Sequence, residues 1–126
     1  MFLKKIVGFK QLTAGLVFSL LASQAIAAGA LAIDGHQGGH YGFAYNVSNL
    51  TQAEQKAMKD CGEGCQVVLR FETGCAAFAE DSSGGLKAYG WGTLKTSAES
   101  KEHAMAACQM RGGKRCKVLA SGCNKS

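Results

Sequence analysis

The chain has 126 residues and a formal net charge of +5 at pH 7. This length allows one ordinary domain and not two. A strongly basic domain would favour nucleic-acid binding, but three of the lysines lie within the first ten residues and the remainder is only mildly basic. We therefore expect no nucleic acid among its partners.

Residues 1–27 have the pattern of a secretory signal peptide. Lysines near the start precede the apolar run LTAGLVFSLLA (12–22), and Ala25-Ile26-Ala27 has the small-x-small pattern of a cleavage site. The alternative is an uncleaved membrane anchor, because residues 12–33 are nearly all apolar and could span a bilayer. We expect cleavage, which lowers the formal charge from +5 to +2 and leaves one domain over residues 28–126. Contact with the membrane is then limited to the export step.

The predicted mature chain repeats itself after 47 or 48 residues. The matching segments are ALAID (30–34) with AFAED (77–81), YGF (41–43) with YGW (89–91), and AMKDC (57–61) with AMAAC (104–108). Each copy has the pattern of a short strand, a Gly-rich turn, a second strand with aromatic residues, a helix and a third strand. The sequence therefore predicts an α+β domain of two tandem ββαβ repeats, at about 29–75 and about 76–123, with pseudo-twofold symmetry and two helices packed on antiparallel sheet.

Details within the repeats predict how the elements pack. A glycine between two aromatic residues allows a neighbouring surface to approach the backbone while the rings lie on the sheet. The segments TQAE (51–54) and TSAE (96–99) match the Thr-x-x-Glu capping box and predict two helix starts. Helical spacing predicts one buried stripe in the first helix, formed by Ala53, Ala57, Met58 and Cys61.

Six cysteines lie in the predicted mature chain, an even number that is typical of a small exported domain held by three disulfides. Zinc is the alternative, since CGEGC resembles half of a zinc knuckle, but CQMRGGKRC is too widely spaced to supply the other half. Six cysteines allow fifteen pairings, which the sequence leaves open. Repeat symmetry favours the scheme Cys61–Cys65, Cys108–Cys116 and, between the units, Cys75–Cys123.

The order of these segments resembles a bacterial secreted family known as domain of unknown function 4189. The resemblance covers residues 29–123 and depends most on CAAFA (75–79), on the VV before it and on the GWG after it. It implies this fold and a periplasmic or secreted location, and it implies no catalytic residue. The chain departs from the family pattern in having two histidines in its first turn.

That histidine-containing turn is the clearest candidate for chemistry. Asp34, His36 and His40 could supply carboxylate and imidazole ligands to a metal, and a small metal-dependent hydrolase would be the corresponding function. The ligand number is low, and the equivalent turn EDSSGG (80–85) has no histidine, so we prefer a surface turn and expect no cofactor. Asp34 could also form a glycosidase-like pair with Glu80 or Asp81, but acids at strand ends more often form turns.

The two repeats differ most in charge. RGGKRCK (111–117) occupies the second helix-to-strand loop, where the first repeat has only GEG. Its basic residues are Arg111, Lys114, Arg115 and Lys117. A charged loop in one of two repeats indicates either a binding surface or a solvated loop.

We therefore expect an exported binding protein rather than an enzyme. The most concrete form is an inhibitor or immunity-type protein that captures an envelope-targeted enzyme, with an exported or envelope protein as its partner. A small, rigid chain without an evident catalytic set fits that role. The alternative is an accessory module that binds cell-wall or outer-membrane components through the same loop, in a manner that salt weakens.

Overall fold

The ββαβ order occurs twice in the computed structural model, which describes residues 27–35, 40–81 and 88–125. The first unit contains β1 (Ala28–Asp34), β2 (Tyr41–Val47), α1 (Leu50–Cys61) and β3 (Cys65–Phe71). The second unit contains β4 (Cys75–Asp81), β5 (Ala88–Leu94), α2 (Ser97–Met110) and β6 (Lys117–Cys123). The predicted α+β architecture of two tandem units is confirmed. The predicted signal peptide, apart from Ala27, lies outside the described residues.

Each unit forms its own antiparallel sheet of three strands, with the first strand of the unit in the centre. The strand orders are β2-β1-β3 and β5-β4-β6. All seven residues of β1 and all seven of β4 are buried. A strand covered on both faces has a continuous run of small and apolar residues instead of an alternating pattern, as AGALAID and CAAFAED show.

The helices cover the outer faces of the two sheets, and the sheets face each other. Alanines fill most of the space between α1 and the first sheet, and between α2 and the second. Larger side chains, with Leu31 and Phe78 at their centre, form the layer between the sheets. In α1 the buried stripe consists of Ala53, Ala57 and Cys61, whereas Met58 is 37% exposed, so its predicted burial is wrong.

Gly42 and Gly90 explain the repeated Tyr-Gly-aromatic segment. A Cβ atom at Gly42 would collide with the carbonyl oxygen of Ala57 in α1, and one at Gly90 would lie 2.7 Å from the carbonyl oxygen of Ala104 in α2. The flanking aromatic side chains pack in the layer between the sheets: Tyr41 and Phe43 in β2, and Tyr89 and Trp91 in β5. The predicted packing role is therefore confirmed in both units.

The two helices begin at equivalent residues, but the first does not begin where the Thr-x-x-Glu pattern predicted. Asn49 is the N-cap of α1, and its side-chain oxygen accepts a hydrogen bond of 2.9 Å from the backbone N–H of Gln52. Thr51 lies inside the helix, so the predicted cap is wrong. Thr96 caps α2 as predicted, accepting from the N–H of Glu99 at 3.1 Å. Asn49 and Thr96 are 47 residues apart, the spacing of the repeat.

All six cysteines are paired in the symmetric scheme. Cys61–Cys65 and Cys108–Cys116 close the helix-to-strand loops of the two units, with a Cα–Cα distance of 6.2 Å in each. Cys75–Cys123 joins register partners in β4 and β6, so it lies within the second sheet and not between the units as the sequence suggested.

Two asparagines join the sheets along the β2–β6 edge. The side-chain oxygen of Asn124 accepts from the backbone N–H of Asn46 at 2.6 Å, and that of Asn46 accepts from the N–H of Lys125 at 3.1 Å. Asn46 has a φ of 57°, a left-handed conformation that asparagine tolerates better than most residues. β2 and β6, which contact each other, are edge strands of their sheets, and β3 and β5 are the other edge strands.

Candidate functional site

Residues 111–117, which comprise the helix-to-strand loop of the second unit and the first residue of β6, are here termed the basic loop. Its disulfide joins cysteines eight residues apart, whereas the disulfide of the first unit joins cysteines four apart. Two glycines allow the longer chain to turn back over its own bridge. Gly112 has a φ of 98°, and a Cβ atom at Gly113 would lie 2.9 Å from the Sγ of Cys108.

The buried carboxylate of Asp81 anchors the backbone of the basic loop. This residue ends β4, is 5% exposed, and its Oδ2 accepts hydrogen bonds from the backbone N–H groups of Lys114 at 2.8 Å and Arg115 at 2.9 Å. Hydrogen bonds to an ionised carboxylate are about twice as strong as neutral ones. The loop backbone is thus held by a covalent bridge at Cys116 and by a buried acid at its centre. This is the turn-forming role that was predicted for acids at strand ends.

The basic side chains of the basic loop are exposed, and none of them forms an ion pair with a carboxylate within residues 27–35, 40–81 and 88–125. The exposed basic residues are Arg111, Lys114, Arg115 and Lys117. Within the described residues the cation–carboxylate pairs lie elsewhere: His40 with Asp34, Lys56 with Asp60, and Arg70 with Glu54. Four positive charges on a short anchored loop give a positive potential that attracts acidic groups.

Arg111 differs from the other basic residues of the loop because its guanidinium lies over two aromatic rings. Its guanidinium carbon lies 5.0 Å from the ring centroid of Tyr89 and 5.2 Å from that of Trp91. The two rings are nearly parallel, with an interplanar angle of 12° and centroids 6.2 Å apart. These distances lie within the range of cation–π attraction. The sequence predicts only a packing role for Tyr89 and Trp91, because nothing in their spacing links them to Arg111.

The histidine-containing turn brings together two of its three predicted residues. Asp34 is buried, and its Oδ2 lies 3.5 Å from the Nδ1 of His40, whose side chain is 69% exposed. The backbone N–H of Asp34 donates to the carbonyl oxygen of His40 at 3.0 Å, which closes the hairpin. His36 lies outside the described residues. Over residues 27–35, 40–81 and 88–125, no group of three or more His, Cys, Asp or Glu side chains is placed to hold a metal ion.

Two shallow cavities lie beside Leu94. The larger, about 550 Å³, is lined by Thr73, Gly74, Thr93, Leu94 and Lys95. The smaller, about 340 Å³, is lined by Leu94, Glu99, Glu102, His103 and Ala106. Neither lining contains the combination of Ser, His and acid that nucleophilic hydrolysis uses. The three acids of the predicted glycosidase-like pair, Asp34 with Glu80 or Asp81, are all buried, and the Asp81 carboxylate is bonded to the basic loop.

The disulfides of the structure also indicate the kind of cellular compartment in which the chain folds. Three disulfides in a chain of this size are typical of proteins that fold in an oxidising environment outside the cytoplasm. Among the described residues, neither helix has the length and apolar composition needed to cross a membrane.

Comparison with known proteins identifies a family and no individual relative. The family model described as "Domain of unknown function (DUF4189)" matches residues 28–123. Comparison with curated proteins and with solved structures gives no significant match. The matched range includes both units, all three disulfides and the basic loop.

Proposed function

We propose that this chain, which belongs to the family described as domain of unknown function DUF4189, is an exported binding protein that captures an acidic surface of another exported or envelope protein. Its concrete form is an inhibitor or immunity-type protein acting on an envelope-targeted enzyme. The observation that carries the proposal is the basic loop, in which a fixed backbone presents four exposed basic side chains that have no carboxylate partner among the described residues.

The fixed backbone supports binding because it lowers the entropy that association costs. A flexible loop must lose conformational freedom when a partner orders it, whereas a preorganised loop has already lost it on folding. In the basic loop, Asp81 and the Cys108–Cys116 bridge impose that order before any partner arrives. A loop whose only role is solvation needs no such anchoring.

The charge supports the choice of an acidic partner. Complementary charges steer two proteins together and raise the association rate, most strongly at low salt. The first unit shows that the scaffold closes its loop without these charges, since its bridge encloses only Gly62, Glu63 and Gly64. The positive charges are therefore additional to what the fold requires.

Affinity capture from a native envelope extract tests this proposal. The bait is the oxidised protein, compared with a variant in which Arg111, Lys114, Arg115 and Lys117 are all changed to Gln. A matched control removes four exposed lysines outside the basic loop, at Lys59, Lys95, Lys101 and Lys125. We expect the native protein and the control to recover the same protein in stoichiometric amount, and the loop variant to lose it.

Three other outcomes would count against the proposal. Recovery of that protein by the loop variant would contradict a role for the basic loop. Recovery of cell-wall or lipid material alone would favour the accessory module. Binding that persists unchanged as the salt concentration rises would show that exposed charge does not drive the association.

A further inference from the structure

We infer that Arg111 is the anchoring residue of the basic loop and that its guanidinium binds a carboxylate, from an Asp or Glu side chain in an acidic segment of the partner protein. This inference rests on the proposed function, because it specifies the chemistry recognised by the same loop. It starts from the difference between Arg111 and its neighbours: Arg111 is held against two rings, whereas the part of the chain that the structure describes provides no such ring contact for Lys114 or Lys117.

Contact with two rings restrains the position of the guanidinium. A guanidinium is planar and has five N–H donors in a fixed fork, which matches the two oxygens of a carboxylate. Tyr89 and Trp91 lie 5.0 and 5.2 Å from its central carbon, so the side chain is restrained while it remains exposed to solvent. Less freedom is then lost when a carboxylate binds.

The position of the rings favours a carboxylate over a stacked sugar. Tyr89 and Trp91 are partly buried in the layer between the sheets, where they pack near Phe78. Their neighbouring glycines, Gly90 and Gly92, face α2 on the opposite side of β5, so the Arg111 side chain reaches around this strand to lie over the rings. A sugar would have to displace Arg111 before it could stack there, whereas a carboxylate needs only the guanidinium N–H groups.

The remaining cations favour an acidic protein segment over a single small anion. Lys114 and Arg115 follow Arg111 closely, and their backbone N–H groups are fixed by Asp81. These side chains therefore project from set positions and can attract further acids of the same segment. Their contribution is long-range attraction, which salt screens, while Arg111 supplies the oriented contact.

Trp91 is the only tryptophan in the chain and gives a direct measurement. The purified, disulfide-bonded protein is titrated with hexaglutamate, and binding is followed both by Trp91 fluorescence and by isothermal titration calorimetry. Calorimetry is needed because substituting Arg111 alters the fluorescence itself. We expect saturable binding, weakened roughly tenfold or more by R111K, which keeps the charge but loses the planar fork.

A matched charge control separates anchoring from simple attraction. K114Q removes one charge from the same loop and should weaken binding only about twofold to threefold, as expected of an exposed, screened charge. R111Q should weaken binding at least as much as R111K. The unfolding transition and the disulfide map of each variant confirm that it is folded.

The outcomes distinguish this inference from the proposed function. If R111K binds hexaglutamate as the native protein does, or if K114Q loses as much affinity as R111Q, Arg111 is not the anchor, although loop-dependent capture of a partner would still stand. If an oligogalacturonate of equal charge binds in an Arg111-dependent manner and hexaglutamate does not, the carboxylate comes from an acidic saccharide and the inferred protein segment is wrong. Absence of saturable binding by both probes would also overturn the inference.

Discussion

In the first unit the chain passes from α1 to β3 through three residues, Gly62, Glu63 and Gly64, whereas in the second it passes from α2 to β6 through the basic loop. The flanking cysteines nevertheless lie equally far apart, with a Cα–Cα distance of 6.2 Å in both units. The same end points are thus compatible with a short turn that has one acidic residue and with a longer cationic one. The first unit is an internal reference for what the scaffold alone requires.

The acids that end β1 and β4 also differ between the two units, in the groups that they contact. Asp34 and Asp81 occupy equivalent positions and are both buried. Asp34 lies near His40 within its own hairpin, while Asp81 accepts two backbone hydrogen bonds from the basic loop. Among the described residues, these equivalent acids therefore contact different groups: a histidine side chain in the first unit and loop amides in the second. Enlarging a loop without losing its order requires such an anchor, because an exposed segment otherwise keeps its conformational freedom.

The largest expected loss of stability follows from removing the Cys75–Cys123 disulfide, which has no counterpart in the first unit. Cys75 and Cys123 are joined across β4 and β6, whereas the first unit has Ala28 and the buried Phe71 at the ends of β1 and β3. The bridged cysteines are 48 residues apart, so replacing both with Ala should lower the free energy of unfolding by about 4 kcal/mol from loop-closure entropy.

Denaturant unfolding under oxidising conditions measures this loss. The matched control replaces Cys61 and Cys65, which are only four residues apart and for which the same relation gives about 2 kcal/mol. Equal losses for the two double variants would show that loop length does not govern the contribution of these bridges.

The next largest loss of stability is expected when Asp81, which anchors the basic loop, is replaced. D81N retains a carbonyl acceptor but removes the charge, so the bonds to Lys114 and Arg115 weaken and the free energy of unfolding should fall by about 2 kcal/mol. Hydrogen exchange at these two amides should accelerate, and binding to an acidic partner should weaken because the loop is less ordered.

A chemically identical change elsewhere is the control. Asp60 is an exposed acid on α1, paired with Lys56 at 3.9 Å, and D60N should change the free energy of unfolding by less than about 0.5 kcal/mol. If D81N leaves exchange at both loop amides unchanged, Asp81 does not hold the loop.

The fold was largely predictable because the repeat is visible in the sequence. Each pattern in one unit could be checked against the other: ALAID and AFAED marked the first strand of each unit, and repeat symmetry favoured the disulfide pairs that the structure contains. The interactions that the sequence did not reveal join residues whose distances along the chain carry no pattern. Asp81 meets Lys114, and Arg111 meets Tyr89, only once β4, β5 and α2 have packed.

The error at the first helix start has a different cause. Both Asn49 and Thr51 are acceptable capping residues, and TQAE satisfies a capping box as well as TSAE does. The motif alone therefore could not choose between them. The repeat spacing distinguishes the two candidates, because Asn49 aligns with Thr96 and Thr51 does not.

The smallest expected effect tests this equivalence of the two helix starts. N49A and T96A each remove the side-chain acceptor of an N-cap, so each should lower the free energy of unfolding by about 1 kcal/mol. T51A changes an exposed position inside α1 and should have an effect of less than about 0.5 kcal/mol. Thermal unfolding followed by circular dichroism compares the three variants. A T51A loss as large as that of N49A would restore the Thr-x-x-Glu interpretation and would mean that the two units begin their helices at non-equivalent residues.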